Sequence, residues 1–441
     1  MQVNAGTRRR ATAAVAATVL VATPMLAQVP VAAKVRPLTP VKTSYALSPG
    51  VRLTTSKYPT TPNEVRVITV IQGKGRVPDV FPAGPAYTAY KLPSQMGAQS
   101  SAVAAVNGDF ALADGRPAHL SMIDGELWSS GIQDGSAFAL TLDGSQAWIG
   151  HPSLSVSGVR IGAGSRAFGI ARYNAGKPSG NIVAAYTKRA GVDERPPGDP
   201  SPEPADPYFC AARLVPDSAI VWAGAGAGRL ARTYTVDAQP DACSQAPLVL
   251  GAGPANVVIA TRMASSKAPS IVGLAKGDRV RLTWGIQELD GAVDVIGGQP
   301  MLVSGGVNVA PPYDGSDYFL NFNPRTGVGI NAGCTDRDTA TRCKIFIVTV
   351  DGRIAGWSKG MRLPDFAKVF LDLGATWAVN LDGGGGTAMW VKKRDQAYCE
   401  IPTGVGGCLV GRPSDSTGER VAVVGFGAVA APDPGEPATL R

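Results

Sequence analysis

Histidine is nearly absent from this chain: His119 and His151 are the only two among 441 residues. The chain therefore offers few candidates for a histidine base that would activate a serine or cysteine nucleophile. We interpret His119 as a polar loop residue and assign no role to His151. Acidic and arginine side chains must carry most of any chemistry.

Charged residues are also few, at 17%, and they form no basic stripe interleaved with aromatic residues. We therefore expect no nucleic-acid partner. The sequence contains no repeat of fixed period, and its glycine-rich runs "GAGAGRL" and "GAGP" lack the context of a phosphate loop. What the chain does have is 44% hydrophobic residues, 54 glycines and 35 prolines. This mixture favours a strand-rich, loop-rich enzyme or binding protein.

The long apolar run of the sequence lies near its N-terminus. Arg8–Arg10 precede "ATAAVAATVLVATPMLA", and small residues up to Ala33 suit a signal peptidase. We predict a signal peptide over residues 1–33, a secreted or cell-envelope protein and no membrane span after cleavage. An N-terminal anchor is the alternative, but the run is short and contains Pro24. Loss of its three arginines lowers the net charge from +8 to +5, which suits anionic polymers or a cell envelope.

Six cysteines agree with export to an oxidising compartment. The sequence has no CxxC spacing and both histidines are remote from the cysteines, so structural zinc is the weaker alternative. The spacing predicts three local disulfides, which are Cys210–Cys243, Cys334–Cys343 and Cys399–Cys408.

Many short runs, such as "EVRVITVIQ", "AFALTL", "RVRLTW" and "IFIVTV", have the β-branched and aromatic content of strands. Helices are predicted over residues 92–106, which are rich in alanine, and 363–374, where Gly374 suits a C-cap. The predicted fold is α+β, with strand-rich mixed sheets and a few helices in a single large domain. We place a linker at 34–62, this domain at 63–430 with a proline-rich loop at 195–207, and a tail at 431–441.

Five segments place an acid, an arginine or an asparagine beside glycine at the end of a strand-like run. Any one of them is weak, since "NGD" and "DGR" are common turn sequences. They are "VNGDF" (106–110), "GGQPMLVSGG" (297–306), "NPRTGVGI" (323–330), "TVDGRIAG" (349–356) and "NLDGGGGTAM" (380–389).

In this order the segments resemble the phosphodiester glycosidase family, over roughly residues 64–430. The most specific part is "NLDGGG" following "DGR", with "SKGM" (358–361) and a helix between them. Three positions depart from the family pattern: Gly386 replaces a serine whose hydroxyl Thr387 can supply, Asp109 adds an acid, and Ala111 replaces an aromatic residue. The matching residues are Asn107, Gly108, Phe110, Gly298, Pro300, Leu302, Arg325, Thr326, Gly329, Asp351, Gly352, Arg353 and Asn380 to Gly385.

The resemblance implies hydrolysis of a sugar-1-phosphodiester at the C1–O bond. The phosphate monoester that leaves needs little protonation, so a general acid matters less than in ordinary glycoside hydrolysis. The site still needs arginine forks for phosphate and a carboxylate that stabilises the sugar cation or activates water. We expect Asp382, Asp351 and Arg325 to be catalytic. The expected substrate-binding residues are Asn107, Asp109, Arg353, Asn380, Gly383, Gly384, Gly385 and Thr387.

Other interpretations remain open. Asp382 could simply cap its own loop, while two carboxylates and arginines would equally serve a phosphodiesterase or a glycosidase that acts on phosphate-free glycans. A non-catalytic protein that binds envelope glycans is a further alternative, for which Gly386 is the best support. We expect no cofactor, with a divalent cation at clustered acids left as a possibility. The expected partner is a carbohydrate phosphodiester or an envelope glycan.

Overall fold

The structure is a computed structural model, and four predicted segments lie wholly or partly outside the residues it describes. These are the signal peptide (1–33), the ends of the predicted linker, the proline-rich loop (195–207) and the tail (431–441). The described residues are 40–58, 63–162, 164–176, 179–190, 209–224, 228–238, 243, 250, 253–315, 317–335 and 342–430.

Strands make up most of the regular structure in these ranges. Three α-helices occur there, α1 (Pro93–Gln99), α2 (Ala268–Val272) and α3 (Leu363–Asp372), together with short 3₁₀ turns that include Tyr318–Leu320 and Gly384–Gly386. The strands are β1 (Val41–Ser48), β2 (Val51–Tyr58), β3 (Asn63–Ile71), β4 (Arg76–Pro82), β5 (Ala104–Asn107), β6 (Leu120–Ile123), β7 (Glu126–Ser130), β8 (Ser136–Thr141), β9 (Ala147–Gly150), β10 (Leu154–Ile161), β11 (Ala167–Gly169), β12 (Arg172–Tyr173), β13 (Ala184–Thr187), β14 (Phe209–Pro216), β15 (Val221–Trp222), β16 (Leu230–Ala238), β17 (Val257–Arg262), β18 (Arg279–Ile286), β19 (Ala292–Gly298), β20 (Met301–Ser304), β21 (Val307–Asn308), β22 (Arg325–Ile330), β23 (Lys344–Val350), β24 (Trp377–Asn380), β25 (Met389–Val391), β26 (Ile401–Pro402), β27 (Cys408–Leu409) and β28 (Val424–Ala430).

These strands form four sheets in the described part of the chain, and the pairs are antiparallel except for β12 with β13. The sheet that carries most of the motifs runs β1-β2-β3-β23-β22-β24-β20-β21. A second sheet runs β26-β27-β25-β5-β28-β4, and a third runs β7-β6-β19-β8-β9. The fourth and largest runs β11-β10-β18-β16-β14-β17-β13-β12, with β15 beside β16. The strand-rich prediction is confirmed, but the fold is mostly β, with short helices.

The predicted helix at 363–374 is confirmed as α3. Pro364 lies in its first turn, its apolar face packs under β20 through Phe366 and Phe370, and Gly374 follows with φ of +85°. A residue with φ > 0 at this place is the usual end of a helix. None of the helices in the described ranges is long and apolar enough to span a membrane.

Two sequence predictions fail in the described residues. The predicted helix at 92–106 covers only α1, because Ser101 has φ of +54° and the alanine-rich end of the segment becomes β5, buried between β25 and β28. The linker predicted at 34–62 contains β1 and β2, and β2 pairs along its whole length with β3. The buried residues of β2 are Val51 and Leu53 in its first half and Ser56 and Tyr58 in its second half, so the buried face of the strand changes at its middle.

Two of the three predicted disulfides are present, Cys210–Cys243 and Cys334–Cys343. The third prediction is wrong in this structure, because Cys399 and Cys408 are both free thiols. Cys408 lies in β27, held between β25 and β26, while Cys399 lies in the preceding turn. Burial and the neighbouring Cys399 thiol raise the pKa of Cys408 above its usual range, so the sulfur of Cys408 stays protonated at neutral pH.

Candidate functional site

The motif residues of the main sheet meet because β22 runs antiparallel to both of its neighbours. Arg325 opens β22 opposite Val350, the last residue of β23, and Asn380 ends β24. The start of β22 therefore lies beside the ends of β23 and β24, and the segments that follow those ends are brought to one edge of the sheet. Asn107, at the end of β5, brings the second sheet to the same edge.

Asn107 joins three of these segments through one buried amide. Its Oδ1 accepts hydrogen bonds from the Thr326 hydroxyl (2.9 Å) and the Ala388 N–H (3.2 Å), and its Nδ2 donates to the Asp382 carbonyl (2.7 Å). The side chain is fully buried. Asn107 was predicted to contact substrate, whereas the structure uses its amide to hold the loop that carries Asp382.

Asp382 is half-buried at the start of the glycine loop. Its N–H donates to the Gly108 carbonyl (2.9 Å), and its Oδ1 accepts the Gly383 N–H (2.9 Å). Burial raises the pKa of Asp382 to about 7, and the charge of Asp109 acts in the same direction. The Gly383 hydrogen bond and the positive charge of Arg420 oppose this shift. A carboxyl group with a pKa near neutrality is suited to proton transfer and to charge stabilisation at physiological pH.

The glycine loop after Asp382 passes between two guanidinium groups. A Cβ on Gly384, which has φ of +62°, would lie 3.1 Å from Nη2 of Arg353, and a Cβ on Gly385 would lie only 2.2 Å from Nη2 of Arg420. Side chains at these positions would therefore push the arginines away. The run of glycines lets two cations approach the main chain beside Asp382.

Both arginines are exposed, but their partners differ. Arg353 donates from Nε (3.1 Å) and Nη2 (2.6 Å) to the neutral amide oxygen of Asn323. Arg420 donates from Nε to the Asp415 carboxylate at 2.9 Å and is paired with it. Arg353 thus keeps its full positive charge for an anionic ligand, while the charge of Arg420 is partly balanced.

Aromatic rings lie beside Arg353 and Arg325. The guanidinium of Arg353 lies 5.1 Å from the ring centroid of Tyr318, which is 68% exposed. Phe110 and Phe319 pack with their ring centroids 5.9 Å apart. Exposed aromatic faces next to cations and a carboxylate give this surface both apolar and charged elements.

Asp109 forms a buried pair with His119 behind Asp382. The two side chains are joined by a contact of 2.6 Å between Oδ1 and Nδ1, and the His119 N–H donates to Oδ2 at 2.9 Å. Burial raises the pKa of Asp109. Burial opposes a charged imidazole, but the hydrogen bond and charge of Asp109 outweigh it, and the pKa of His119 is raised. His119 lies in the loop before β6, as predicted, but its side chain is buried, at 1% exposed.

Arg325 is placed differently from its predicted catalytic role. Its side chain is 1% exposed, and it donates to three main-chain carbonyls, those of Met361 (3.0 Å), Phe319 (2.7 Å) and Asn321 (2.8 Å). Burial, with a contribution from Arg353, lowers its pKa to about 10, so it stays charged. This geometry gives Arg325 the task of fixing the loop that carries Tyr318 and Phe319.

Asp351 belongs to another set of contacts. Its Oδ2 accepts hydrogen bonds from Nε1 of Trp357 (2.8 Å) and from the Arg412 N–H (3.0 Å). Burial raises its pKa to about 6, although Arg66 and these hydrogen bonds pull it down. The structure therefore brings Asp382, Asp109 and Arg353 together and holds Asp351 in separate contacts.

The remaining predicted substrate contacts lie inside the protein or are already engaged. Asn380 is fully buried, and its Nδ2 donates to the carbonyls of Gln299 (2.8 Å) and Leu381 (2.7 Å). Thr387 is 4% exposed, with its hydroxyl 3.4 Å from that of Thr326. In the loop itself, the Gly383 N–H donates to the Asp382 carboxylate, and the Gly384 N–H donates to the Pro324 carbonyl. Gly385 has no side chain, which lets Arg420 lie close to the main chain.

For a metal, the described residues offer one group of carboxylates, Asp79, Asp124 and Asp294, whose oxygens lie within 4.8 Å of one another. They come from β4, the β6–β7 turn and β19. Burial raises the pKa of Asp294 well above its usual range, and the neighbouring Asp79 and Asp124 add to this. Clustered acids alone do not establish a cation site, and the group lies apart from the contacts of Asp382.

Sequence reasoning missed His119, Arg420, Asp415 and Asn323. His119 follows Asp109 without a recognisable motif, and "SDSTGER" around Asp415 and Arg420 reads as a solvated loop. Only the tertiary fold brings that loop to Gly385. Asn323 is the first residue of the segment "NPRTGVGI", and its place in that segment was the one available signal.

The family comparison agrees with the motif series. Residues 234–428 match the model of a family described as phosphodiester glycosidase, a range that includes the segments around Arg325, Asp351 and Asp382. The resemblance is thereby confirmed for this part of the chain. No curated protein matches the chain.

Solved structures with low sequence identity share the fold. A hypothetical protein from Synechocystis aligns with a TM-score of 0.61 and 18% identity, over 89% of this chain and 64% of that one. A protein from Burkholderia pseudomallei aligns with a TM-score of 0.57 and 21% identity, over 84% of this chain and 74% of that one. The catalytic domain of zebrafish N-acetylglucosamine-1-phosphodiester alpha-N-acetylglucosaminidase aligns over 89% and 84% with 14% identity and a TM-score of 0.40, which establishes no shared fold.

Proposed function

Since residues 234–428 match the phosphodiester glycosidase family, we propose that this protein is a secreted hydrolase that cleaves the C1–O bond of a sugar-1-phosphodiester. The products are the free sugar and a phosphate monoester. The observation that carries the proposal is the half-buried Asp382 beside a glycine loop that is flanked by Arg353 and Arg420.

Each element of this surface answers one demand of the reaction. Arg353, whose guanidinium donates to the neutral Asn323 amide, binds the phosphate, and Arg420 adds positive charge beside Gly385. The ionised Asp382 stabilises positive charge at the anomeric carbon or takes a proton from the attacking water. Tyr318 and Phe110 offer apolar faces to the sugar.

The reaction balances without a general acid. The C1–O bond breaks, its electron pair stays on the phosphate oxygen, and the oxygen of water bonds to C1. The proton that water loses passes to Asp382 or to solvent. Asp109 and His119 take no proton in this scheme, and they position the loop and Asp382 from behind. Export and envelope or extracellular glycans as substrates are supported by the N-terminal sequence and by the two disulfides.

The test is phosphorus NMR in ¹⁸O-enriched water with a panel of sugar-1-phosphodiesters. We expect the label in the released sugar and unlabelled phosphate monoester, because the C–O bond is the one cleaved. Asp382→Asn should lower the rate by about 10²–10⁴-fold, while Asp365→Asn, at an exposed position in α3, serves as the matched control. Label in the phosphate would assign the protein to the phosphodiesterases, and full activity of Asp382→Asn would refute the assigned role.

A further inference from the structure

A second concave surface lies on the far side of the segment that precedes Asp382. It is a cavity of about 690 Å³ between the β9 strand, the 134–136 segment and the start of β20. Gln299 and Pro300 form part of its wall, and their carbonyls accept hydrogen bonds from Asn380 (2.8 and 3.1 Å). A volume of roughly 300–1,000 Å³ is typical of small-molecule sites.

The wall of this cavity combines flat apolar surface with a few uncharged polar groups. Trp148 and Trp377 are both partly exposed and lie in the wall with Met301. The indole of Trp148 is held against Gly150, where a Cβ would lie 2.4 Å from the ring. Gln299 supplies an amide to the same wall. Indole faces and an amide suit a ligand that is apolar on one face and hydroxylated at its edge.

Ser136 is the most informative residue in the wall. It is 2% exposed, and its Oγ has no hydrogen-bond partner among the described residues. A buried hydroxyl without a partner is unfavourable, and such groups are uncommon in folded proteins. Rotation about χ1 of Ser136 would turn this hydroxyl towards the cavity, where a ligand hydroxyl would supply the missing partner.

The cavity lacks what a phosphate would need. None of the described residues that line it is lysine or arginine, and its ionisable groups are the exposed Asp134 and His151. An anionic ligand is therefore disfavoured, and the phosphate-bearing part of a substrate belongs beside Arg353 rather than here.

We propose that this cavity is a binding site for a neutral saccharide, one or two sugar units long, which stacks on Trp148 and Trp377 and hydrogen-bonds to Ser136. A pyranose has the required combination of an apolar C–H face and a rim of hydroxyl groups. The site goes beyond the hydrolysis proposed above, and it would let the protein hold a glycan at a point away from Asp382.

The experiment measures binding of three phosphate-free probes, maltotriose, cellotriose and chitotriose, to the whole protein by calorimetry and tryptophan fluorescence. We expect at least one of them to bind, and Ser136→Ala and Trp148→Ala to weaken that binding by about tenfold or more. Trp222→Ala, which removes a surface indole that does not line the cavity, is the matched control and should bind as the wild type does.

Ser136→Ala also separates binding from folding. Because it removes a buried hydroxyl without a partner, the variant should unfold at the same temperature as the wild type or higher. Weaker saccharide binding by a protein of undiminished stability supports the site. The proposal is overturned if no probe binds at about 10 mM, or if binding survives in both cavity variants. Since the probes contain no phosphodiester, neither result bears on the proposed hydrolysis.

Discussion

Nδ1 of His119 lies 2.6 Å from Oδ1 of Asp109, and both side chains are almost completely buried. The pair is linked to Asp382 through the chain, because Asp109 follows Gly108, whose carbonyl accepts the Asp382 N–H. The position of the candidate catalytic carboxylate therefore depends on a pair of ionisable groups that do not themselves reach solvent.

Replacing His119 by leucine should destabilise the protein by about 3 kcal/mol, because it leaves a buried carboxylate without its main partner. His119→Asn retains an N–H donor near the position of Nδ1, so its loss of stability should be less than half of that of His119→Leu. Urea unfolding at pH 6 measures both. Equal losses in the two variants would mean that packing, rather than the contact with Asp109, is what His119 contributes.

The same pair has a defined pH dependence. The pKa of His119 is raised in the folded state above an unfolded value of about 6.5. The stability that it contributes is therefore fully present below about pH 6.5 and is lost as pH rises through the folded pKa. The difference in stability between wild type and His119→Leu should narrow over that range. A difference that stays constant to pH 9 would contradict a charged imidazole in the native state.

Asp382→Asn is expected to stabilise the protein while it lowers the rate of hydrolysis. Burial raises the pKa of Asp382 to about 7, whereas the unfolded value is about 3.9. The folded state then binds more protons than the unfolded state between these values, so stability falls as pH rises from about 4 to about 7. Asparagine does not titrate, and with allowance for partial exposure we expect a gain of about 2 kcal/mol at pH 8.

Urea unfolding at pH 4 and pH 8 measures this gain, with Asp365→Asn as the exposed control. The gain should be near zero at pH 4, where Asp382 is protonated in the folded state. Equal stability of Asp382→Asn and wild type at pH 8 would show that the carboxylate is not held at an unfavourable site.

Strand positions could be predicted from sequence because β-branched side chains pack well on the pleated, buried surface of a sheet, so runs of them indicate strands. "IFIVTV" became β23 and "RVRLTW" became β18 for this reason. The alanine-rich 92–106 segment was misread because alanine favours a helix locally, while its second half is buried as β5 between two strands that lie far away in sequence. Tertiary pairing overrides a local preference of that size.

The sequence singles out Asp382 and the glycine run, but not the side chains that surround them in the fold. Asp382 and the glycine run stand out in the sequence because four glycines in succession exceed the needs of a turn. The contact of Gly385 with Arg420, and that of Asp109 with His119, arise only from the fold. A motif match also does not tell whether an arginine faces solvent, and Arg325 and Arg353 proved to differ in just this respect.

Arg353 and Arg325 should respond differently to the same substitution. Arg353→Gln removes an exposed guanidinium beside Gly384, so we expect KM for a sugar-1-phosphodiester to rise about tenfold or more, with a stability change below about 1 kcal/mol. Arg325→Gln leaves the carbonyls of Met361 and Phe319 without their donor and should lower stability by about 3 kcal/mol.

Steady-state kinetics and urea unfolding of the two variants, with Arg232→Gln on the large sheet as a remote control, separate these roles. A large loss of stability in Arg353→Gln with unchanged KM would show that its contact with Asn323 is structural and that phosphate binds elsewhere.

Gly386 is the position at which the chain departs from the serine of the family pattern that it resembles, and the structure gives a steric reason. A Cβ there would lie 2.9 Å from Oδ2 of Asp382 and 3.8 Å from Nδ2 of Asn107. Gly386→Ala should therefore displace the carboxylate and lower kcat by about tenfold or more.

Gly386→Ser adds the same Cβ and also a hydroxyl that can donate to the carboxylate, which favours the ionised form. Because Asp382 acts in its ionised form, we expect the rising limb of the pH–rate profile to lie near pH 7 in the wild type. The limb should lie at lower pH in Gly386→Ser than in Gly386→Ala. The alanine variant is the matched control, since it carries the steric change without the donor. Identical limbs in the two variants would show that a hydroxyl at this position does not reach Asp382.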